Sequence, residues 1–265
     1  TGSADTALKL RGNPRLMQNS VRFASEQDSL NASVLGPDAT PGTPEFDLFV
    51  KEDQREMTAK AGQKCTAIRR IMVPNALVDP VIAAISERRG KIAIGDPRLE
   101  STGMGALVSA SQKRDVLEKA ATIGAEAERV FGNPDDFAVE GADRDKGAFL
   151  PPMLFHCADP DSAVRVHDTE AFGPVSTIMP YRDLPHAVQL LNKGKGSLVA
   201  SVITNDGNVA REITLGAAAF HGRLYFNNRA SMKEATGHGA PLPHMVHGGP
   251  GRAGGGEELG GIRGV

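Results

Sequence analysis

The sequence predicts an α/β protein with a largely parallel sheet. Short apolar runs typical of buried strands alternate with amphipathic segments of ten or so residues that carry helix start and stop signals. No internal repeat is visible. At 265 residues the chain has enough material for one large or two small domains with a substantial core.

The first elements follow from local signals. Residues 15–25 are expected to contain a strand and the residues that lead into it, and residues 35–42 are expected to form a loop rich in Gly and Pro. A helix is expected to start at Thr43-Pro44, with Thr as N-cap and Pro in the first turn, and to run to about residue 61. A strand at 70–73, a helix from Asp79-Pro80 to Gly90 and a short strand at 91–95 should follow.

The second half continues the alternation. Ser109 and Gln112 form a capping box that opens a helix ending at Gly124. Further strands are expected at 149–157, 175–180, 198–204 and 223–227, and further helices at 184–191 and 208–215. Residues 237–261 hold His, Pro and Gly without apolar periodicity, so they should form a loop or extended arm ordered by packing on the rest of the protein.

Composition narrows the function classes. The net charge of −2 gives no electrostatic reason to expect binding to nucleic acid or to an anionic membrane. Two cysteines fit a reducing compartment, and no apolar run approaches the ~18 residues needed to span a bilayer. A soluble, cytoplasmic protein is therefore expected. Because the chain begins with Thr1 and ends in a Gly-rich run, we expect a piece of a longer protein.

Cys65 is the residue with the clearest chemical potential. It follows Gly62 between a helix and a strand, where a thiol can reach the edge of a cleft. The neighbouring cations Lys64, Arg69 and Arg70 would favour the thiolate, which is the nucleophilic form. A lone cysteine in such a loop is nevertheless most often inert, so the pattern alone does not decide.

Other tempting residues carry weaker signals. Cys157 lies in an apolar run and is expected to be a buried small hydrophobe, and His167 a loop histidine. His238, His244 and His247 have no Cys or carboxylate at supporting ligand spacing, so no metal site is expected. The Gly-rich residues 251–256 lack the frame of a phosphate loop, and packing or flexibility explains them better.

Four runs nevertheless occur in an informative order. They are residues 1–3 (Thr-Gly-Ser), Glu26, residues 62–65 (Gly-Gln-Lys-Cys) and residues 170–175 (Glu-Ala-Phe-Gly-Pro-Val). Together they resemble the second half of an aldehyde dehydrogenase, and the resemblance covers nearly the whole chain. It implies the tail of a Rossmann-like dinucleotide-binding domain at 1–29, the aldehyde dehydrogenase catalytic domain at 30–232 and an extended arm or linker at 233–265.

The resemblance also implies roles. Cys65 would be the nucleophile, and Glu26 the general base that activates water to hydrolyse the thioester. Gly2 and Ser3 would lie under the cofactor pyrophosphate, Glu170 would accept hydrogen bonds from the ribose, and Phe172 would pack near the nicotinamide. NADP is the expected cofactor, with NAD as the alternative.

The sequence departs from the common family pattern at the base. Glu26 lies 39 positions before Cys65, a few more than most members show, and the loop at 37–44 can absorb the excess. The usual Glu-Leu-Gly-Gly run is replaced here by Glu-Gln-Asp-Ser. Two alternatives therefore stay open: a CoA-acylating aldehyde dehydrogenase, and a non-catalytic domain kept for assembly.

Three runs narrow the branch of the family. Residues 28–31, 60–70 and 241–258 are similar to the PaaZ-type enzymes of phenylacetate breakdown, in which an aldehyde dehydrogenase is fused to a MaoC-like hydratase that opens oxepin-CoA. The resemblance implies an acyl-CoA semialdehyde substrate, such as 3-oxo-5,6-dehydrosuberyl-CoA semialdehyde, and a homo-oligomer. It further implies that these 265 residues alone are inactive, since most of the cofactor pocket and the oxyanion-hole Asn would precede Thr1.

Overall fold

Helices and strands alternate through the computed structural model, which describes residues 2–240 and 246–255. The helices are α1 (Ala4–Arg11), α2 (Pro14–Gln18), α3 (Pro44–Thr58), α4 (Val78–Gly90), α5 (Ala110–Gly124), α6 (Leu184–Asn192) and α7 (Gly207–Ala217). The strands are β1 (Ala32–Leu35), β2 (Arg70–Pro74), β3 (Ala93–Ile94), β4 (Thr102–Met104), β5 (Glu128–Phe131), β6 (Met153–His156), β7 (Val175–Tyr181), β8 (Ser197–Ile203), β9 (His221–Asn227), β10 (Gly248–Gly249) and β11 (Gly254–Gly255).

The main sheet has seven strands in the order β5-β6-β7-β2-β1-β8-β9. Every neighbouring pair is parallel except β5 with β6, which confirms the predicted mostly parallel α/β fold. At the centre, Val34 of β1 lies in register with Met72 of β2 and Val202 of β8. All three are fully buried, as expected for strands covered on both faces.

Two apolar layers cover the sheet. Leu35, Ile71 and Val73 pack with residues of α3 and α4 on one face. Val34 and Met72 pack on the other face with a layer from α5, α6 and α7. Each strand therefore sends alternate side chains into different cores, which is the period of two that fixes the register of the sheet.

Most predicted elements are confirmed, with boundaries moved by a few residues. Thr43 caps α3 by accepting the backbone N–H of Phe46 over 3.2 Å, and Ser109 caps α5 in the same way over 3.2 Å to Gln112. The predicted strand at 15–25 is wrong. Asn13 and Pro14 instead start the short helix α2, with the Asn13 side chain accepting the N–H of Arg15 over 3.0 Å.

The six parallel strands present their amino ends at one edge of the sheet, and that edge carries the site. The segments that lead into β1, β2 and β7 hold residues 26–31, 62–69 and 170–174. The hairpin of β10 and β11 packs against β8 and β9.

The predicted domain boundaries at 29 and 232 stay a prediction. In the part of the chain described here, no helix combines the length and the apolar character that crossing a bilayer requires.

Candidate active site

Cys65 lies in a loop whose backbone is bent by a left-handed turn. After α3, a 3-10 turn at Ala59–Gly62 contains positive φ values at Lys60 (54°) and Ala61 (53°), followed by Gly62 (69°). A Cβ on Gly62 would collide with the carbonyl group of Gly173, so this close approach requires glycine. The turn leaves Cys65 half-buried just beyond the end of α3.

Asn31 fixes the other side of the loop. Its side-chain amide is fully buried and donates to the carbonyl oxygens of Cys65 over 2.8 Å and of Ala67 over 3.1 Å. The side-chain oxygen of Asn31 accepts from the Ser29 hydroxyl over 2.8 Å and from the Val199 N–H over 3.1 Å. One side chain therefore ties the cysteine loop to β1 and β8.

Arg69 joins the cysteine loop to the predicted ribose-binding run. Its guanidinium donates to the carbonyl oxygen of Gly62 over 2.9 Å and to that of Gly173 over 2.7 Å. Arg69 Nε lies 3.7 Å from Glu170 Oε1, and its guanidinium carbon lies 5.5 Å from the ring centre of Phe172. Burial raises the pKa of Glu170 to about 7, although the charge of Arg69 opposes that rise.

Glu26 is held by the glycine hairpin. It forms an isolated antiparallel bridge with Gly254, and its neighbour Gln27 donates its N–H to the Ala253 carbonyl over 3.2 Å. Gly254 has a φ of 62°, and a Cβ there would collide with the carbonyl oxygen of Ser25. The predicted extended arm is thus partly ordered by packing, and its described part holds the carboxyl group of Glu26, which is only 8% exposed.

His247 lies between the two residues predicted to act in catalysis. Its Nε2 atom is 3.7 Å from Cys65 Sγ and 3.5 Å from Glu26 Oε1. One ligand-type atom from each of the three side chains lies within 4.8 Å of the others. The sequence analysis considered His247 only as a metal ligand and missed its place beside Cys65, because a histidine next to a glycine run carries no period or spacing that points to a cysteine 182 positions away.

Arg223 fixes the protonation of the His247 ring. Its Nη1 atom donates to His247 Nδ1 over 3.3 Å, so the ring proton of the neutral imidazole is on Nε2. A sulfur, a nitrogen and an oxygen this close are donors that Zn²⁺ accepts, but a protonated Nε2 does not bind a metal. The expectation of no metal site stays a prediction.

The cations near Cys65 differ from those expected. Lys64 is paired with Glu56 over 2.7 Å. The prediction that Arg70 would stand beside the thiol is wrong, because its guanidinium is buried and donates to the Leu190 and Leu191 carbonyls over 2.7 and 2.9 Å. Arg69 and Arg223 are the guanidiniums that interact electrostatically with Cys65.

Two further histidines are buried in the framework of the site. His238 donates from Nε2 to the Thr66 carbonyl over 2.9 Å and accepts from the Ser201 hydroxyl at Nδ1. Burial, with the nearby charge of Arg223, lowers the pKa of His238 to about 3. His167, predicted as a loop histidine, is buried in a 3-10 turn, and His244 lies outside the described residues.

The predicted cofactor residues fall into two groups. Gly2 donates its N–H to the Glu26 carbonyl over 3.1 Å, and Ser3 caps α1 by accepting the Thr6 N–H over 3.3 Å. Glu170 and Phe172 lie together at Arg69, and Phe172 lines a cavity of about 870 Å³ with residues from the cysteine loop. Cys157 is fully buried, as predicted, and burial raises the pKa of its thiol to about 11.

Comparison with known proteins settles the family. The sequence model of the aldehyde dehydrogenase family matches residues 1–261. This chain belongs to the aldehyde dehydrogenase family. The fold agrees: a betaine aldehyde dehydrogenase from Staphylococcus aureus, solved in complex with NAD+, superposes with a TM-score of 0.82 at 25% identity, over 99% of this chain and 48% of that one.

Relatives within the family point to one branch of it. This aldehyde dehydrogenase chain is 46% identical over 250 residues to 3,4-dehydroadipyl-CoA semialdehyde dehydrogenase of Aromatoleum evansii, covering 94% of this chain and 48% of that protein. It is 52% identical over 163 residues to Protein MaoC of Klebsiella aerogenes, covering 61% and 47%. The chain thus spans about half the length of the curated relatives it matches.

Proposed function

We propose that this protein oxidises an aldehyde to a carboxylic acid with a nicotinamide cofactor, with Cys65 as nucleophile and Glu26 as general base. One observation carries the proposal: a thiol, a buried carboxylate and an imidazole, all within 4.8 Å of one another, lie at one edge of an aldehyde dehydrogenase fold. Hydrolysis of a thioester on Cys65 requires a base close to the thiol, and the Glu26 carboxylate is in that place. A cluster with only a structural role would have no such requirement.

The chemistry of the chain's own residues follows from this arrangement. The Cys65 thiolate forms a bond to the aldehyde carbon, whose π electrons move to oxygen and give a thiohemiacetal. When bound, NAD(P) supplies the hydride acceptor that turns this adduct into a thioester. Glu26 then takes a proton from water as the water oxygen bonds to the acyl carbon, and Cys65 leaves as thiolate.

The residues around Glu170 fit a nicotinamide ribose. The Glu170 carboxyl group is 9% exposed and lies two residues before Phe172, which lines an open cavity, and a carboxylate acceptor suits paired hydroxyls. Gly2 and Ser3 would contact the pyrophosphate at the amino end of α1. We propose NADP over NAD from the likeness of residues 60–70 and 241–258 to the PaaZ branch, and the ratio of kcat/KM for the two cofactors tests it.

The substrate class is inferred from the relatives. The name of the Aromatoleum relative specifies a CoA-linked semialdehyde, and a second relative is named MaoC. We propose an acyl-CoA semialdehyde as substrate, a fused MaoC-like hydratase in the whole protein, and assembly as a homo-oligomer in the cytoplasm. Purification of the protein as its gene encodes it, followed by mass and oligomer measurements, tests the fused hydratase and the homo-oligomer.

A variant of Glu26 distinguishes hydrolysis of the thioester from its transfer to CoA. In the protein as its gene encodes it, Glu26→Gln should form one equivalent of reduced cofactor rapidly and then stall as the thioester, with turnover lowered by ~10²–10⁴-fold. Glu100→Gln, at an exposed position, is the matched control. Full turnover of Glu26→Gln to free acid would reject the base, and turnover that depends on free CoA would favour the acylating alternative.

The 265 residues alone are expected to form no reduced cofactor, because they match only about half the length of their curated relatives. Incubation of this chain with aldehyde and NADP, followed by absorbance at the reduced-cofactor band, tests this. Cys65-dependent formation of reduced cofactor would overturn it.

A further inference from the structure

We propose that His247 is a positioning residue whose Nε2–H donates to the Cys65 thiolate beside the Glu26 carboxylate. This inference rests on the proposed function, since it assigns His247 to the two residues given chemical roles there. The geometry carries it: Nε2 stands 3.7 Å from Cys65 Sγ and 3.5 Å from Glu26 Oε1. The first distance suits a hydrogen bond to a large sulfur atom, and the second places the carboxylate oxygen near the same proton but beyond a normal hydrogen bond.

The tautomer makes the ring a donor and not a base. Arg223 Nη1 occupies the lone pair of Nδ1 over 3.3 Å, so the neutral ring carries its proton on Nε2, which faces both anions. A second proton would have to enter at Nδ1, against the guanidinium. A thiolate–imidazolium pair of the kind found in cysteine proteases is therefore disfavoured here, and the proton lost by the Cys65 thiol goes to bulk water.

The ring is also held firmly enough to position its partners. His247 is 7% exposed and is followed directly by β10, whose glycines pack against β8 and β9. The Arg223 guanidinium also donates to the His238 carbonyl over 3.1 Å, and the His238 ring in turn bonds the Thr66 carbonyl next to Cys65. The donor and its target are thus tied to the same framework.

The other titratable and charged groups of the site come from several elements. They are Glu26 before β1, Glu56 on α3 paired with Lys64, Arg69 in the cysteine loop, Glu170 before β7, Arg223 on β9 and His238 after β9. Substituting His247 removes none of these charges, but Glu26 and Arg223 lose the ring as a neighbour, so the conservative His247→Gln variant is needed to identify the N–H as the cause.

Alkylation of Cys65 tests the proposal without aldehyde or cofactor. The rate of Cys65 carboxamidomethylation by iodoacetamide is measured by mass spectrometry from pH 5 to 10 on the protein as its gene encodes it. His247→Leu should move the midpoint of the pH profile up by about one unit and slow alkylation at pH 7 about tenfold, since a hydrogen bond to an anion is lost. His247→Gln, which keeps an N–H near the same place, should stay within about threefold of the wild type.

The matched control is His156→Leu. His156 lies at the carboxyl end of β6, the opposite edge of the sheet, so its loss should leave the profile unchanged. Equal profiles for the wild type and a folded His247→Leu would overturn the proposal. Alkylation of His247→Gln as slow as that of His247→Leu would also overturn it, because the N–H would then not be what matters.

A measurement on the wild type keeps the proposal testable if the variants do not fold. Nitrogen-15 NMR of the His247 ring at pH 7 should show a proton on Nε2 and none on Nδ1. A proton on both nitrogens, or on Nδ1 alone, would reject the assigned tautomer. These readouts also separate the two proposals: a His247-dependent alkylation profile in a protein without dehydrogenase activity leaves the inference standing and removes the proposed function.

Discussion

The side-chain amide of Asn31 donates to the carbonyl oxygen of Cys65 over 2.8 Å, which couples the start of the central strand to the candidate nucleophile. The same amide also holds Ala67, and its oxygen accepts from Ser29 and Val199. Because the side chain is fully buried, no water replaces these partners when it is removed. The conformation of the cysteine loop therefore depends on a residue that takes no part in the reaction.

Asn31→Ala should lower the free energy of unfolding by about 3 kcal/mol, since several buried polar groups lose their partner. It should also change the rate of Cys65 alkylation, because the loop is no longer held at its carbonyl groups. Urea denaturation measures the first and iodoacetamide kinetics the second. Asn75→Ala, at an exposed position, is the control and should change neither. A loss below about 0.5 kcal/mol would contradict the prediction.

Glu170 should make stability fall as pH rises through the weakly acidic range. Burial raises the pKa of Glu170 from 4.5 to about 7, so between these values the native carboxyl group keeps a proton that the unfolded chain releases. The native state then binds more protons, and the free energy of unfolding decreases with increasing pH, by at most about 3 kcal/mol in total.

Comparison with Glu170→Gln isolates that effect. The difference in unfolding free energy between the wild type and Glu170→Gln should change by up to about 3 kcal/mol from pH 4.5 to pH 8, with the wild type losing stability relative to the variant. Urea denaturation at several pH values measures it, and Glu100→Gln at an exposed position should run parallel to the wild type. Parallel curves for Glu170→Gln would show that the carboxyl group is not buried in its neutral form.

Buried histidines should act in the opposite direction in acid. Burial is the first cause that lowers the pKa of His167, His221 and His238 to about 3. Below pH 6.5 the unfolded rings take up protons that the native rings refuse, so stability falls as pH falls. His238→Gln should reduce the slope of unfolding free energy against pH, between pH 6 and 4, by about 1.4 kcal/mol per unit. An unchanged slope in a folded variant would refute this.

How much of the fold and of the site could be predicted from the sequence depends on the kind of sequence signal. Helix caps such as Thr43 and Ser109 are local, and they placed α3 and α5 correctly. The central strand β1 was missed, because four residues buried on both faces show no alternation. The order of the motifs singled out Glu26 and Cys65 as site residues. The structure brings the two side chains together, and their roles stay predictions.

Side-chain contacts that form only through tertiary packing could not be predicted from the sequence. Arg70 is the first residue of β2 and follows Arg69 directly in the sequence, yet its side chain turns away to bond the carbonyls at the end of α6. Arg223 and His247 reach the site from positions far along the chain: the pairing of β9 with β8 places Arg223, and His247 directly precedes the glycine hairpin that returns to Glu26. Only the fold decides which of several cations or histidines faces the thiol.

A buried charge pair between α3 and α4 gives the last prediction. Asp53 is fully buried and accepts from the Ser33 hydroxyl over 3.2 Å, while Arg89 is 2% exposed. Burial raises the pKa of Asp53 well above its usual range and lowers that of Arg89, while their opposite charges oppose both shifts. Within residues 2–240 and 246–255, the guanidinium nitrogens of Arg89 have no hydrogen-bond partner.

A double-mutant cycle should show that the pair matters only while one charge remains. Asp53→Asn leaves the Arg89 charge buried without its counterion and should cost about 3–5 kcal/mol of unfolding free energy. Asp53→Asn combined with Arg89→Met removes both charges, and should be as stable as the wild type or more stable by about 1–3 kcal/mol. Urea denaturation of the four proteins gives the coupling energy. A double variant whose loss equals the sum of the two single losses would mean that Asp53 and Arg89 do not interact.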